Sequence, residues 1–224
     1  MRLLLLRHGQ TQSNVVGALD TAIPGAPLNE LGLKQAAAVP AGLADEKIGS
    51  IRASTILRAQ QTAAPLASAR DLDVEYLDGL REIEAGDLEM RSDKESQGMY
   101  TATAFAWARG DLALRMPGAE TGHEFFARFD AAIADILESH YETAVAVSHG
   151  AAIRTWVAAR CSNTDGEFAG THQLDNTGMA ILEGNTVRDW HLVDWRSAPV
   201  GGAGLTDARA VDPTGESVER PAVE

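Results

Sequence analysis

Four short stretches of this 224-residue chain carry side chains that could do chemistry together. Arg7-His8-Gly9 and Ser148-His149-Gly150 each set a histidine directly before a glycine, and Arg58 follows shortly after Ser54. A neutral imidazole is a competent nucleophile near neutral pH and needs no base to activate it. Arginines neutralise the equatorial oxygens of a transferring phosphoryl group, which is most of what such catalysis requires. A second histidine, if protonated, adds one more charged donor. The leaving oxygen still needs a proton, and Leu80-Arg81-Glu82-Ile83-Glu84 offers two carboxylic acids, Glu82 and Glu84. Each piece alone is a common packing or surface feature. Their combination points to phosphoryl transfer.

These residues can meet only if the chain brings their elements to one edge. Arg2–Leu6 reads as a short buried strand, because four leucines in a row are too brief for a helix. Asn29 to about Glu46 has a helical pattern that Pro40 should kink or end. Ile48–Ala53 is a second strand, and Ser54 occupies an N-cap position before a helix to about Ala69. Val74–Leu77 is a weak strand. Thr121-Gly122-His123-Glu124 has the form of a capping box, with Phe125, Phe129, Ala132, Ile133, Ile136 and Leu137 at helical spacing after it. Thr143–Ser148 is a buried strand, followed by a helix over Ala151–Ala159. Met179–Leu182 and Val187–Val193 alternate as strands around a Gly184-Asn185 turn. The order is that of an α/β fold with a mostly parallel sheet. In such sheets ligands bind beyond the carboxyl ends of the strands. Arg7, His8, Arg58 and His149 all fall there if their strands are parallel neighbours, and Gly9 and Gly150 let the backbone approach a ligand.

Composition narrows the classes. A net charge of −13 is the wrong sign for a nucleic-acid partner, so an anion site here must be a local island of arginine. Sixteen of the nineteen basic residues are Arg, the side chain that grips phosphate bidentately. Cys161 is the only cysteine, which rules out an intrachain disulfide and a cysteine cluster. The histidines lack metal-ligand spacing, so neither a metal nor another cofactor is expected. His8 and Gln10 end the apolar run Leu3–Leu6 before a signal-peptide core forms, and no stretch reaches membrane-spanning length. A cytoplasmic protein without membrane contact is expected. Two segments stand apart from the α/β body over residues 1–196. About residues 87–119 the pattern loosens around Tyr100, Phe105 and Trp107, as in a cap insertion. From Ser197 to Glu224 there is one leucine, no aromatic residue and a surplus of acids, so this tail is expected to be disordered.

Arg7-His8-Gly9-Gln10-Thr11, with Asn14 following, resembles the signature of the histidine phosphatase superfamily, the phosphoglycerate mutase-like proteins. Ser54 to Ala63, with Arg58 and Thr62, is similar to that family's second arginine helix. Leu80-Arg81-Glu82, then Gly86 and Glu89, resembles its acid-bearing segment. Pro117-Gly118-Ala119-Glu120-Thr121 resembles its Pro-Gly-Gly-Glu-Ser stretch, and Val147-Ser148-His149-Gly150 with Ile153-Arg154 its second-histidine motif. The likeness runs from about Met1 to Trp195 in family order. It implies a three-layer α/β/α fold with His8 as the phosphorylated nucleophile. Arg7, Arg58 and His149 would form the phosphate pocket, Asn14 would orient the bound group, and Glu82, at the family position, would be the proton donor.

The departures matter as well. Gln10 stands where the signature commonly has Glu, and Asp87-Leu88-Glu89-Met90-Arg91 replaces an aromatic and a Glu-Gly pair. A mutase would need extra basic residues to hold a second anionic group. The segment after the acid supplies only Arg91, Lys94, Arg109 and Arg115, which favours hydrolysis of a small phosphorylated metabolite over mutase chemistry. A non-catalytic phospho-ligand binder on this fold would be expected to have lost His8, His149 or Glu82. All three are present.

Overall fold

The computed structural model describes residues 1–207, 209, 210 and 212–216. Six strands form one sheet in the order β3-β2-β4-β1-β5-β6. They are β1 (Arg2–Arg7), β2 (Ser50–Ser54), β3 (Val74–Leu77), β4 (Thr143–Ser148), β5 (Met179–Gly184) and β6 (Trp190–Arg196). The first four in sheet order are parallel, whereas β5 and β6 run antiparallel at one side. Helices α1 (Gln12–Val16), α2 (Glu30–Gly42), α3 (Leu57–Arg70), α4 (Lys94–Ala108), α5 (Gly122–Glu138), α6 (Gly150–Arg160) and α7 (Phe168–Thr171) complete the described elements.

The sheet splits the interior into two cores, and the two-residue period of a strand decides which side chain goes where. Leu3 and Leu5 join Ala144, Ala146, Ala180 and Leu182 on one face, under Tyr100, Trp107, Phe125, Phe129 and Trp156. Leu4 and Leu6 join Val145, Val147, Met179 and Ile181 on the other, under Val39 of α2 and Ala59, Ala63 and Leu66 of α3. The central strands are buried on both faces, which is why they read as unbroken apolar runs. This is the three-layer α/β/α arrangement expected, with a mixed, mostly parallel sheet.

Local expectations hold where a side chain does the specifying. Thr121 and Glu124 form a reciprocal capping box at the start of α5. Elsewhere there are corrections. Ser54 closes β2 instead of capping α3; the cap position falls to Ile56, and the Ser54 hydroxyl accepts from Ile56 N at 3.2 Å. Helix α2 stops at Gly42, two residues past Pro40, short of Glu46. Strand β6 begins at Trp190, not Val187.

The loosened stretch over residues 87–119 contains α4, and its Tyr100, Phe105 and Trp107 are core residues. They are not available to a substrate. The small residues between them (Ala and Thr) blur the helical period. The described residues after Ser197 are likewise not free of the body. Val200 N donates to Thr177 O, Gln35 Nε2 to Leu205 O, and Leu174 N to Gly215 O. Hydrogen bonds and a buried ion pair from Asp212 to Arg7 fasten this segment, in place of the apolar burial it lacks. Residues 217–224 of the expected disordered tail lie outside the described residues.

Phe129 packs between Phe125 and Trp156, with ring centroids 5.7 and 5.5 Å away. Phe129→Ala should therefore destabilise the chain by about 3–5 kcal/mol, read as a lowered chemical denaturation midpoint at unchanged slope.

Candidate active site

The register of the parallel strands brings the chemistry together. Arg7 of β1 lies opposite Ser148 of β4, and Ala53 of β2 opposite Val147. His8, His149 and Ser54 thus leave the same sheet edge side by side. The two imidazoles are 5.0 Å apart between centroids, inclined at 59°. Helix α3 begins just beyond β2 and returns Arg58 to the same place. Gly9 is required by the protein itself: a Cβ there would lie 2.7 Å from Gly32 O. Its N–H donates to Thr62 Oγ1 at 2.9 Å, which holds the turn after His8 against α3.

Hydrogen bonds settle the tautomer of His8. Arg58 Nε has only a proton to offer, and it meets His8 Nε2 at 3.1 Å. Nε2 is therefore the acceptor, and Nδ1–H donates to Gly9 O at 2.7 Å. Burial pushes the His8 pKa well below the ordinary imidazole range, and the charges of Arg58 and Arg7 add to that. His8 is a neutral ring with its Nε2 lone pair turned toward the cleft cation.

His149 is neutral for the same reasons, burial first and then Arg58. His149 is thus not the charged donor expected at this position, because a cation there would be buried beside other cations. The Ser54 hydroxyl accepts from Ile56 N and lies 2.8 Å from His149 Nε2. His149 Nδ1 is buried without a hydrogen-bond partner among the described residues.

Arg58 is held by Asp20, whose carbonyl accepts from Nη2 at 2.8 Å and whose carboxylate lies 3.8 Å from Nη1. Nη1 makes no hydrogen bond. Asn14 is pinned through its carbonyl, which accepts from Thr11 N at 3.0 Å and Asn176 Nδ2 at 3.4 Å. Its amide nitrogen remains for the cleft. His8, Asn14, Arg58 and Glu82 line this cleft together with Ser13, Asp20, Thr21 and Thr214.

Glu82 is buried, and its carboxylate caps α6. Oε1 accepts from Ile83 N at 2.9 Å and Ala152 N at 2.8 Å, and Oε2 from Ala151 N at 3.2 Å. Burial raises its pKa, while those N–H groups and Arg58 pull the other way; burial prevails. Arg128 holds the segment in place. It donates to the carbonyls of Gly79, Arg81 and Glu82 and forms a bidentate pair with Glu120 at 2.6–2.8 Å. Glu84 is outside the cleft, paired with Arg81 at 2.9 Å.

Arg7 is placed differently from the expectation of a free phosphate ligand. Nη1 donates to Leu174 O at 2.6 Å, and Nη2 to Asp212 and Thr214. Only Nε is unpartnered. Among the described residues no group of three or more His, Cys, Asp or Glu could hold a metal ion. Sequence reasoning missed Asp20, Arg128 and Asp212 as supports. None has a local signal, since each acts across a long sequence separation.

A family model of the histidine phosphatase superfamily (branch 1) matches residues 3–198. The chain is 34% identical to the PE-PGRS family protein PE_PGRS11 of Mycobacterium tuberculosis over 92% of its own length, but spans only 38% of that protein. It is 32% identical to the adenosylcobalamin/alpha-ribazole phosphatase of Escherichia coli, over 70% of this chain and 78% of the other. Among solved structures, mycobacterial glucosyl-3-phosphoglycerate phosphatase in complex with VO3 superimposes with a TM-score of 0.74 at 27% identity, covering 88% of this chain and 99% of that one. A family match of this extent, on a fold with the paired histidines in place, means that the chain belongs to the histidine phosphatase superfamily.

Proposed function

We propose that this chain is a phosphomonoester hydrolase that acts on a small phosphorylated metabolite through a phosphohistidine on His8. One observation carries the reading: an unprotonated buried Nε2 stands in a cleft with Arg58, whose Nη1 is buried without a hydrogen bond, and the His149 ring lies 5.0 Å from that of His8. A buried donor left unsatisfied is costly, and an anion beside Arg58 Nη1 would satisfy it. In the forward step a phosphoryl group replaces Arg58 at Nε2, whose lone pair attacks phosphorus as the ester P–O bond breaks. Arg58, His149 and Asn14 hold the equatorial oxygens, and Arg7 adds its charge. The Glu82 carboxyl proton goes to the leaving oxygen. Glu82 carboxylate then takes a proton from water, the water oxygen attacks phosphorus, and the P–Nε2 bond breaks to release phosphate and neutral His8.

This chemistry draws its positive charge from arginine and does not call for a metal or cofactor. The relatives named as phosphatases of glucosyl-3-phosphoglycerate and alpha-ribazole support a small organic phosphate as substrate. A mutase would need a second anion site. Arg91, the new cation near the cleft, is instead exposed and paired with Asp93. The described residues contain no helix long and apolar enough to cross a membrane. The cytoplasmic location is part of the same proposal. Cys161 fits it as a buried structural thiol, its pKa pushed up to about 12 by burial.

His8→Ala should abolish both turnover and the acid-labile, base-stable label left on wild type by rapid alkaline quenching. An unlabelled wild type would favour direct attack by water. Glu82→Gln should lower kcat/KM for alkyl phosphates by about 10²- to 10⁴-fold, yet barely change it for an aryl phosphate with an acidic phenol. Glu84→Gln should be nearly silent on both; the reverse pattern would move the acid to Glu84. The pH dependence follows from the two displaced pKa values. His8 must be neutral, so kcat/KM falls as pH drops through a value below the usual imidazole range. Glu82 must be protonated, so it falls again as pH rises through a value above the usual carboxyl range. After correction for substrate ionisation, Glu82→Gln should lose the alkaline limb and keep the acid one.

A further inference from the structure

The segment Asp212–Gly215 lies against the catalytic edge in van der Waals contact. Asp212 pairs with Arg7 Nη2, and both groups are almost wholly buried. Thr214 Oγ1 accepts from the same nitrogen at 3.0 Å, while Thr214 O accepts from Arg154 Nη1 at 3.0 Å. Gly215 O accepts from Leu174 N at 2.8 Å. Glycine is required on both sides of this seam. A Cβ on Gly150, the residue after His149, would come within 2.6 Å of Thr214 O and 3.0 Å of Arg7 Nε. One on Gly215 would collide with Arg7 Nη1.

Asp212 does not sit where a substrate phosphate would. It shares with Arg7, Gln10, Gln35 and Asn176 a hollow that excludes His8, whereas the His8 cleft is lined by Thr214 and excludes Asp212. The Arg7 guanidinium lines the first of these, and its charge acts on both His8 and His149. Its Nη atoms are fixed from the outer side by Leu174 O, Asp212 and Thr214. Its Nε, buried and unpartnered, faces Gly150, the residue after the second histidine. An arginine has five donors in one rigid plane, so fixing the two Nη atoms also fixes the direction of Nε–H.

We propose that the C-terminal segment is part of the active site: Asp212 is a positioning residue that orients Arg7 toward the bound phosphoryl group, and Thr214 forms one wall of the cleft. This rests on the reading of that cleft as a phosphate site. Deleting residues 200–224 should therefore lower turnover, since it strips Arg7 of Asp212 and Thr214. The device is a brace and not an inhibitor, because the carboxylate occupies the side of the guanidinium away from His8.

The test is a double-mutant cycle in the full-length chain, read by calorimetric binding of orthophosphate and vanadate and by kcat/KM. Asp212→Asn keeps the shape and removes the charge. It should weaken binding of both anions and lower kcat/KM by about 10²-fold, the scale of a misaligned catalytic group. Arg7→Met should cost at least as much. In the Arg7→Met background, Asp212→Asn should add no further loss, which a purely structural role would not produce. Gly215→Ala displaces Arg7 without altering any charge and should reproduce the Asp212→Asn loss, so a poorly folding Asp212 variant does not end the test. Additive losses in the cycle, or wild-type anion binding in folded Asp212→Asn and Gly215→Ala, would overturn the proposal. A wild type that binds orthophosphate tightly but hydrolyses no phosphomonoester would defeat the hydrolase reading and leave this one standing on binding alone.

Discussion

Leu4 of β1 and Val145 of β4 are partners in a parallel ladder, and the site depends on where that ladder ends. Parallel strands in register leave the sheet at the same height, so the residue after Arg7 and the residue after Ser148 emerge as neighbours. A slip of one residue would move every side chain of the slipped strand to the opposite core and set His8 and His149 at different heights. The two cores prevent this, because alternate leucines of β1 are committed to opposite faces. The geometry of the histidine pair is thus enforced by apolar packing at some distance from it.

Electrostatics in this edge follow from dryness. Several cations and two imidazoles share a region with little solvent, and burial decides every displaced pKa there. Imidazoles respond by staying neutral, which suits a nucleophile. Glu82 is balanced more finely. Its carboxylate accepts hydrogen bonds at the start of α6, where a helix favours negative charge, yet it is buried deeply enough that protonation is favoured. A group with stabilising contacts for its anion and a penalty for being anionic can both give up a proton and take one back.

How much of this was visible in the sequence depends on the range of the interaction. Strands β1 and β4, the capping box at Thr121 and the histidine-glycine pairs were legible because their signals are local. The fold of α4 was not, since small residues surround its core aromatics and no apolar stripe stands out. Ser54 was noticed for the wrong reason: its hydroxyl serves a turn and an imidazole, not a helix end. The residues 197–216 looked too polar to order. Composition measures the apolar area available for burial, and this segment is held by an ion pair and backbone hydrogen bonds to partners far away in the chain.

The position of β1 in the sheet also has a bearing on how the molecule comes to be made. Both of its neighbours, β4 and β5, are encoded far downstream, from Thr143 onward. Four consecutive leucines therefore leave the ribosome well before β4 and β5, their pairing partners. Such a segment is short, flat, strongly apolar and able to template association with another chain. Long-range parallel pairing is also slow, because the loop must close before the contact is rewarded. Arg2 and Arg7 flank the leucines with positive charge on either side. Arg7, buried in the folded chain, is thus also one of the two charges that bracket a nascent apolar strand while its partners are still being synthesised.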